Sequence, residues 1–367
     1  MRISVVVPGY AREPIGGVGV VYQYANELVA LGHDVTIVHA ARYRRRPALR
    51  DGRPRRQLEQ LIGGWRDLRR GAPEEVSWLR VDPAVDLRYV STIDATTVPE
   101  ADVVVATAWQ TASPVAALPT SKGRRCYLIQ HHETWSGSEA RVDETWRLPL
   151  RKIFIAQWLY ERALAMGCTD LHRVPGAIDV AKFHLSRPIE HRPRRVAMLA
   201  SDWAWKGRAE GVAALQQACA AAPDLAAVLF GAGPRPDDLP AWIEYRQDPP
   251  QDVLVDDVYN GSSIYLCPSH AEGWHLPPAE AMACGAAVVS TDIDGVADYA
   301  IDGTTALLSP PRDPDGLATN LLRLLNDDRE RVTLASAGHA HIQQFTWANS
   351  TAALEAALAA PALRLVG

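Results

Sequence analysis

Short β-branched runs alternate with helical patterns along this chain, and the alternation occurs twice. A strand followed by a helix and a further strand returns to its sheet as a parallel neighbour, so the pattern predicts two α/β domains built on parallel sheets. In the first half, residues 3–7, 35–40, 103–107 and 127–130 read as strands, with 173–177 closing the set. Helical periodicity shows there at 20–31 and 150–166. In the second half, 196–200, 226–230, 264–267, 287–290 and 306–308 read as strands, and 210–221, 252–260, 278–284, 315–325 and 330–344 as helices. The polar, proline-bearing stretch 186–195 reads as a linker, which puts the domains at 1–185 and 186–345, followed by a terminal segment at 346–367.

Bulk properties agree with that division. At 367 residues the chain exceeds one ordinary core and fits two. Hydrophobic content of 47% with 22% charged residues is that of a soluble globular protein, and a net charge of −5 argues against nucleic acid as a partner. No apolar run has the length of a membrane span, and residues 1–7 enter a strand pattern without a signal-peptide layout, so the expected location is the cytoplasm. Cys126, Cys168, Cys219, Cys267 and Cys284 are odd in number and lack C-x-x-C pairing. They read as buried free thiols, with neither zinc nor disulfides implied.

The densest chemistry lies in Glu272-Gly273-Trp274-His275-Leu276-Pro277-Pro278-Ala279-Glu280. A strand-like run feeds this stretch and a helix-like run follows it. Proline fits the first helical turn, so the turn holding Glu272, Gly273, Trp274, His275 and Leu276 presents backbone N–H groups and a positive dipole end to an anion. Glu272 falls in the loop and Glu280 on the expected first turn. One carboxylate can then reach a sugar and the other a ribose attached to one bound diphosphate, since each accepts two hydroxyl hydrogen bonds.

Gly16-Gly17-Val18-Gly19 follows the first strand and opens a helix, so small residues there let backbone approach a phosphate. A dinucleotide fingerprint needs a glycine at position 22, which is tyrosine. Gln130-His131-His132-Glu133 ends a strand at its carboxyl side, where α/β folds bind ligands. Adjacent residues there point oppositely and no third ligand is evident, so no metal site is expected.

The carboxylate pair, its flanks (Cys267-Pro268-Ser269 before it, 281–291 after it) and the downstream Asp302-Gly303-Thr304-Thr305-Ala306 closely resemble the E-x7-E signature of retaining glycosyltransferase family 4. The resemblance covers nearly the whole chain. It implies the GT-B fold, two facing Rossmann-like domains with the active site in the interdomain cleft and a last helix, here 347–358, crossing back to the N-terminal domain. It implies a metal-independent enzyme that moves a sugar, with retention, from a nucleoside-diphosphate sugar to a hydroxyl acceptor, and no cofactor besides that donor substrate. Lys206, followed by Gly207, would neutralise the departing diphosphate. The arginine that the family carries five residues earlier falls near Ser201, and Arg208 is the candidate to compensate. His131, with His132 as the alternative, would contact the sugar. Gly16, Gly17 and Gly19 would close over the diphosphate, Glu272 would position the sugar and Glu280 the ribose. Gly231-Ala232-Gly233-Pro234 resembles the family's G-x-G-P turn, and His275 stands where the family usually has glycine, narrowing the sugar pocket.

Two other readings fit related folds. A nucleotide-sugar epimerase would change the sugar without an acceptor, and a noncatalytic nucleotide-sugar-binding subunit would account for the absent arginine. Residues 42–56 are dense in arginine, and Leu58, Leu61, Ile62, Trp65 and Leu68 then share a helical face. Such an element suits peripheral association with an anionic inner membrane face and a lipid-linked acceptor. A helix packed on its own domain, or an anionic soluble acceptor, would use the same residues.

Overall fold

A computed structural model describes residues 1–11, 15–41, 71, 76 and 78–361. The arginine-rich segment 42–56 and the apolar face that follows it lie outside the described residues. The chain forms two compact units, one of residues 1–175 with 347–367 and the other of 176–346.

The first unit is built on a sheet of seven strands: Arg2–Pro8 (β1), Asp34–Ala40 (β2), Asp86–Val90 (β3), Val103–Ala106 (β4), Arg124–Ile129 (β5), Arg151–Phe154 (β6) and Leu171–Arg173 (β7). Their order is β3-β2-β1-β4-β5-β6-β7, and every pairing is parallel. The central strands read as near-continuous apolar runs because helices cover both faces of a doubly wound sheet. The order reverses direction between β1 and β4, which pair through Ile3 and Val103, and it is at such a reversal that open α/β sheets bind ligands.

The expected helix at 150–166 divides into β6 and a helix at Gln157–Ala165. Arg151 and Lys152 give β6 a helical look, yet both are buried. The Arg151 guanidinium meets Asp170 at 3.1 Å and donates to the carbonyls of Ala357, Ala360 and Pro361. Those carbonyls close the terminal helix Trp347–Ala359, whose last turn has no intrahelical donors left. Arg124 serves the carbonyls of Leu358 and Ala360 in the same way. At its other end the helix is tied by Tyr24, whose hydroxyl donates to Ser350 at 2.6 Å while Ser350 donates to the Pro175 carbonyl.

The second unit has six strands: Arg195–Leu199 (β8), Ala226–Gly231 (β9), Glu244–Gln247 (β10), Ile264–Cys267 (β11), Ala287–Thr291 (β12) and Ala306–Ser309 (β13). They are all parallel, in the order β10-β9-β8-β11-β12-β13, so the reversal falls between β8 and β11. Val196, Met198, Leu229, Leu266, Val289 and Leu307 from the sheet pack with Leu317, Leu321, Leu324 and Leu325 of the helix Pro314–Asn326. Each such side chain contributes about 1.5–3 kcal/mol on burial. Asp313 starts that helix by accepting from the Gly316 N–H at 2.9 Å.

The segment 186–195, expected as a linker, packs into the second unit, and the units divide ahead of the expected boundary at 185. Arg192 is the reason. Its buried guanidinium donates to the carbonyls of Tyr259, Ser262 and Cys284 and to the Asn260 side chain, satisfying carbonyls that the sheet leaves open.

Candidate functional site

The reversal between β8 and β11 decides which side chains meet. β8 runs out into residues 200–207 and β11 into 268–275, and the two strands are neighbours through Met198 and Leu266. Lys206 ends the single turn Ala204–Lys206, and Gly207 follows in the left-handed conformation at φ 66°. A Cβ on Gly207 would collide with the Pro268 carbonyl. Only glycine lets the two loops touch there, and the result is that Lys206 Nζ lies 2.8 Å from Glu272 Oε1. From the other side Gly295 admits the Glu272 backbone and Cβ, which a Cβ of its own would strike.

Glu272 is buried at 8% exposure. Burial works to raise its carboxyl pKa, but His275, Lys206 and a hydrogen bond from Ser269 outweigh that and hold it below the usual carboxylate range. His275 lies 3.4 Å from the same oxygen, and burial drives its pKa down to about 4, with Lys206 acting in the same direction. The ring is therefore neutral at pH 7, and Lys206 is the cation that balances Glu272. The His275 backbone is pinned as well, its N–H donating to Gly295 at 2.9 Å and its carbonyl accepting from Tyr299 at 2.6 Å. Trp274 packs against Gly176, where a Cβ would run into the indole.

The helix begins at Leu276, ahead of the Pro-Pro pair, which places Glu280 on its second turn instead of the expected first. Of the backbone N–H groups expected to face an anion, that of His275 is already taken by Gly295. Glu280 is half-buried, accepts from the Tyr259 hydroxyl at 2.9 Å, and is pushed up to about 7 by burial. Arg208 opens the helix Arg208–Ala221 with its guanidinium 2.6 Å from Asp202 and 3.6 Å from Asp238, so its charge is engaged within the unit. Ser201 accepts from the Trp203 N–H and brings no cation to the site. In the G-x-G-P turn, Gly231 fits beneath the Ala200 carbonyl and the Gly233 carbonyl accepts from Tyr245 at 2.7 Å.

In the first unit the glycines sit inside a helix. Gly16, Gly17 and Gly19 form the first turn of Gly16–Ala30, and the N–H groups of Gly16 and Gly17 stand ahead of the first helical bonds, which Val18 and Gly19 make to Ile15. Gln130 at the end of β5 donates to the Gly17 carbonyl at 3.0 Å, which joins this turn to the strand end that carries His131. His131 is half-buried against Trp135 at 4.3 Å, in edge-to-face contact. His132 is buried with Nε2 on Asp143 at 2.9 Å and is a core residue. Glu133 accepts from the Trp109 N–H at 2.7 Å and closes the start of the helix Trp109–Ala116. His132, Glu139 and Asp143 bring ligand atoms within 4.8 Å of one another. Arg162 lies 2.6 Å from Glu139 and 3.7 Å from Asp143, so those carboxylates are already balanced by a cation.

Residues missed in the sequence are those whose role depends on sheet order or on small size: Tyr259 beside Glu280, Gly295 beneath Glu272 and Cys267 beside His275. Gly295 meets Glu272 because β12 lies beside β11 in the sheet, whereas Cys267 and His275 meet within the loop that leaves β11.

Residues 194–327 match the family described as glycosyl transferases group 1. Among curated relatives, the Escherichia coli O-antigen chain mannosyltransferase B is 33% identical over 110 residues, 30% of this chain and 28% of that protein. The phosphatidyl-myo-inositol mannosyltransferase of Mycolicibacterium smegmatis is 29% identical over 199 residues, 50% of each chain. The chain thus spans at most about half the length of these relatives. Anabaena HepE in complex with UDP superposes with a TM-score of 0.73 at 14% identity, covering 98% of this chain and 99% of that one. Sucrose-phosphate synthase from Thermosynechococcus elongatus gives 0.68 at 17% identity, over 96% and 97% of the two chains. These likenesses establish the GT-B fold.

Proposed function

We propose that this chain is a retaining, metal-independent glycosyltransferase of the family 4 type, a reading supported by the match of residues 194–327 to the family described as glycosyl transferases group 1. It would transfer a sugar from a nucleoside-diphosphate donor to a hydroxyl acceptor. The observation that carries this reading is the meeting of Lys206 and Glu272 at 2.8 Å, in the loops that leave the carboxyl ends of β8 and β11, with the half-buried Glu280 on the helix that follows. UDP in HepE supports a nucleotide-bearing donor.

In this reading Glu272 accepts hydrogen bonds from the donor sugar and Glu280 from the ribose. Lys206 stabilises negative charge as the diphosphate leaves, which makes electrostatic preorganisation the main catalytic term. Arg208 would join only by giving up Asp202. The donor phosphate oxygen takes the acceptor proton, so no protein base is required. His131 and the N–H groups of Gly16 and Gly17 are the proposed substrate contacts of the first unit, with Gly19 giving the turn its room. No helix among the described residues is long and apolar enough to cross a membrane. Arginines 42–56 support a lipid-linked acceptor and a peripheral cytoplasmic location, and co-sedimentation with anionic but not neutral vesicles tests that point.

The test of the donor site is a thermal-shift screen of UDP, GDP, ADP and dTDP and their sugars, followed by kinetics of two variants. Glu280→Ala should weaken nucleotide binding and Glu272→Ala should mainly lower turnover, each by about 1.5–3 kcal/mol. Wild-type kinetics in both would remove the donor site from this position.

A further inference from the structure

The loop from Cys267 to His275 contains a chain of contacts that the donor-site reading does not use. Cys267 Sγ lies 3.2 Å from His275 Nδ1, and the thiol and ring are 1% and 4% exposed. On the far side of the ring Nε2 faces Glu272 Oε1 at 3.4 Å and has no hydrogen-bond partner among the described residues. That same oxygen is the one Lys206 approaches at 2.8 Å. Two groups therefore converge on Oε1 from different directions, which leaves the carboxylate plane little freedom to turn.

We propose that His275 is a positioning residue for Glu272: the Cys267 thiol donates to Nδ1, so that the ring presents Nε2–H to Oε1 and, with Lys206, holds the carboxylate in one orientation for a hydroxyl of the donor sugar. The proposal rests on the reading that Glu272 contacts that sugar. Burial keeps Cys267 above its ordinary range, so the sulfur retains its proton and is a donor. A ring with one nitrogen accepting from a thiol must carry its own proton on the other. The contact to Oε1 is longer than an ordinary N–H···O bond. It acts by orienting a dipole toward the carboxylate and by filling the space into which Oε1 would otherwise swing. A free imidazole in the core would cost burial of an unpaired donor for no gain, whereas a donor aimed at a carboxylate recovers that cost when the carboxylate must stay fixed.

The experiment has two readouts on the full chain. The first is the ring tautomer at pH 7.5, read by two-bond ¹H–¹⁵N correlation on protein labelled with ¹⁵N-histidine, with His275→Gln removing and so assigning the signal. Wild type and Cys267→Ser should show a neutral ring protonated at Nε2, and Cys267→Ala a mixed or Nδ1-protonated one. A wild-type ring that is charged or protonated at Nδ1 overturns the proposal. The second readout is turnover of UDP-glucose and of GDP-mannose, each run separately, beside the thermal shift given by UDP or GDP alone. His275→Leu and Cys267→Ala should lower kcat about tenfold with the nucleotide shift retained, the loss expected for a weakened hydrogen bond to a charged group. His275→Gln and Cys267→Ser, which keep a donor, should recover most of it. Equal kcat in all four variants overturns the proposal. If wild type turns over neither sugar and no nucleotide in the thermal-shift screen binds, the donor reading has failed at its own test, and the tautomers alone decide whether the Cys267–His275 pair is built as described.

Discussion

Glu280 is the residue at which protein stability and ligand binding should oppose each other. Burial lifts its carboxyl to about 7, against an ordinary value near 4.5, and the Tyr259 hydroxyl offsets part of that. A carboxyl whose folded pKa is raised contributes fully below the unfolded value and loses stability as pH rises through the folded one. Replacement by the neutral Glu280→Gln should therefore raise the free energy of unfolding at pH 8 relative to wild type, by at most about 3 kcal/mol, and have little effect at pH 4. Nucleotide binding should run the other way, strengthening in wild type from pH 6 to 8 as the carboxylate forms, because a charged acceptor binds ribose hydroxyls better than a neutral acid. Melting curves at pH 4 and 8 and nucleotide titrations at pH 6 and 8 check the pair of slopes. A flat pH dependence in both would mean that Glu280 is an ordinary exposed carboxylate. His275 carries the opposite sign: its pKa of about 4 makes its contribution complete above pH 6.5 and lost on acidification toward 4.

At the scale of elements, β6 ties the first sheet to the terminal helix through one side chain. Arg151→Met keeps much of the apolar stem and removes the charge that three carbonyls and Asp170 share. Loss of a partner from a buried pair costs about 3–5 kcal/mol, so urea unfolding should shift by that order, and amide exchange should accelerate first in 347–359. Asp313→Ala, by contrast, should cost about 1 kcal/mol, since it removes one helix cap from an otherwise well-packed element. The same strand shows why part of the fold was hidden in the sequence. Strands such as β4 and β11 are legible as short apolar runs bounded by turn residues. Arg-Lys-Ile-Phe is not, because its two cations are buried on distant carbonyls, Arg151 on those ending the terminal helix and Lys152 on that of Thr169. The helices Trp109–Ala116 and Glu139–Trp146 are short, one interrupted by Pro114 and the other mostly polar, so neither gives a clear period. Much of the candidate site was legible for the reason that β4 was: Lys206-Gly207 and the two glutamates are local patterns. The Gly207 approach to Pro268, the Gly295 approach to Glu272 and the Tyr259 bond to Glu280 join different strands, and no spacing along the chain encodes them.

Taken as a whole, the chain is two doubly wound units, each with its own core and its own reversal of strand order; Gly16, Gly17, Gly19, Lys206 and Glu272 follow strands at those reversals, and His131 follows β5. The position of the donor site within the second unit can be tested without knowing the acceptor. A nucleotide held by Lys206, Glu272 and Glu280 stabilises only the conformation in which the loops after β8 and β11 are closed on each other, and at a hundred times its Kd it adds about 2.7 kcal/mol. Amide exchange with saturating UDP, or whichever nucleotide gives the largest thermal shift, should therefore slow in 201–208 and 272–280, and β10 at the sheet edge should exchange as before. In Lys206→Ala the slowing at 201–208 should fall more than that at 276–280 if, as proposed, Glu280 holds the ribose and the lysine the diphosphate. Slowing confined to segments outside these two loops would put the nucleotide elsewhere, and with it the role given to the meeting of Lys206 and Glu272.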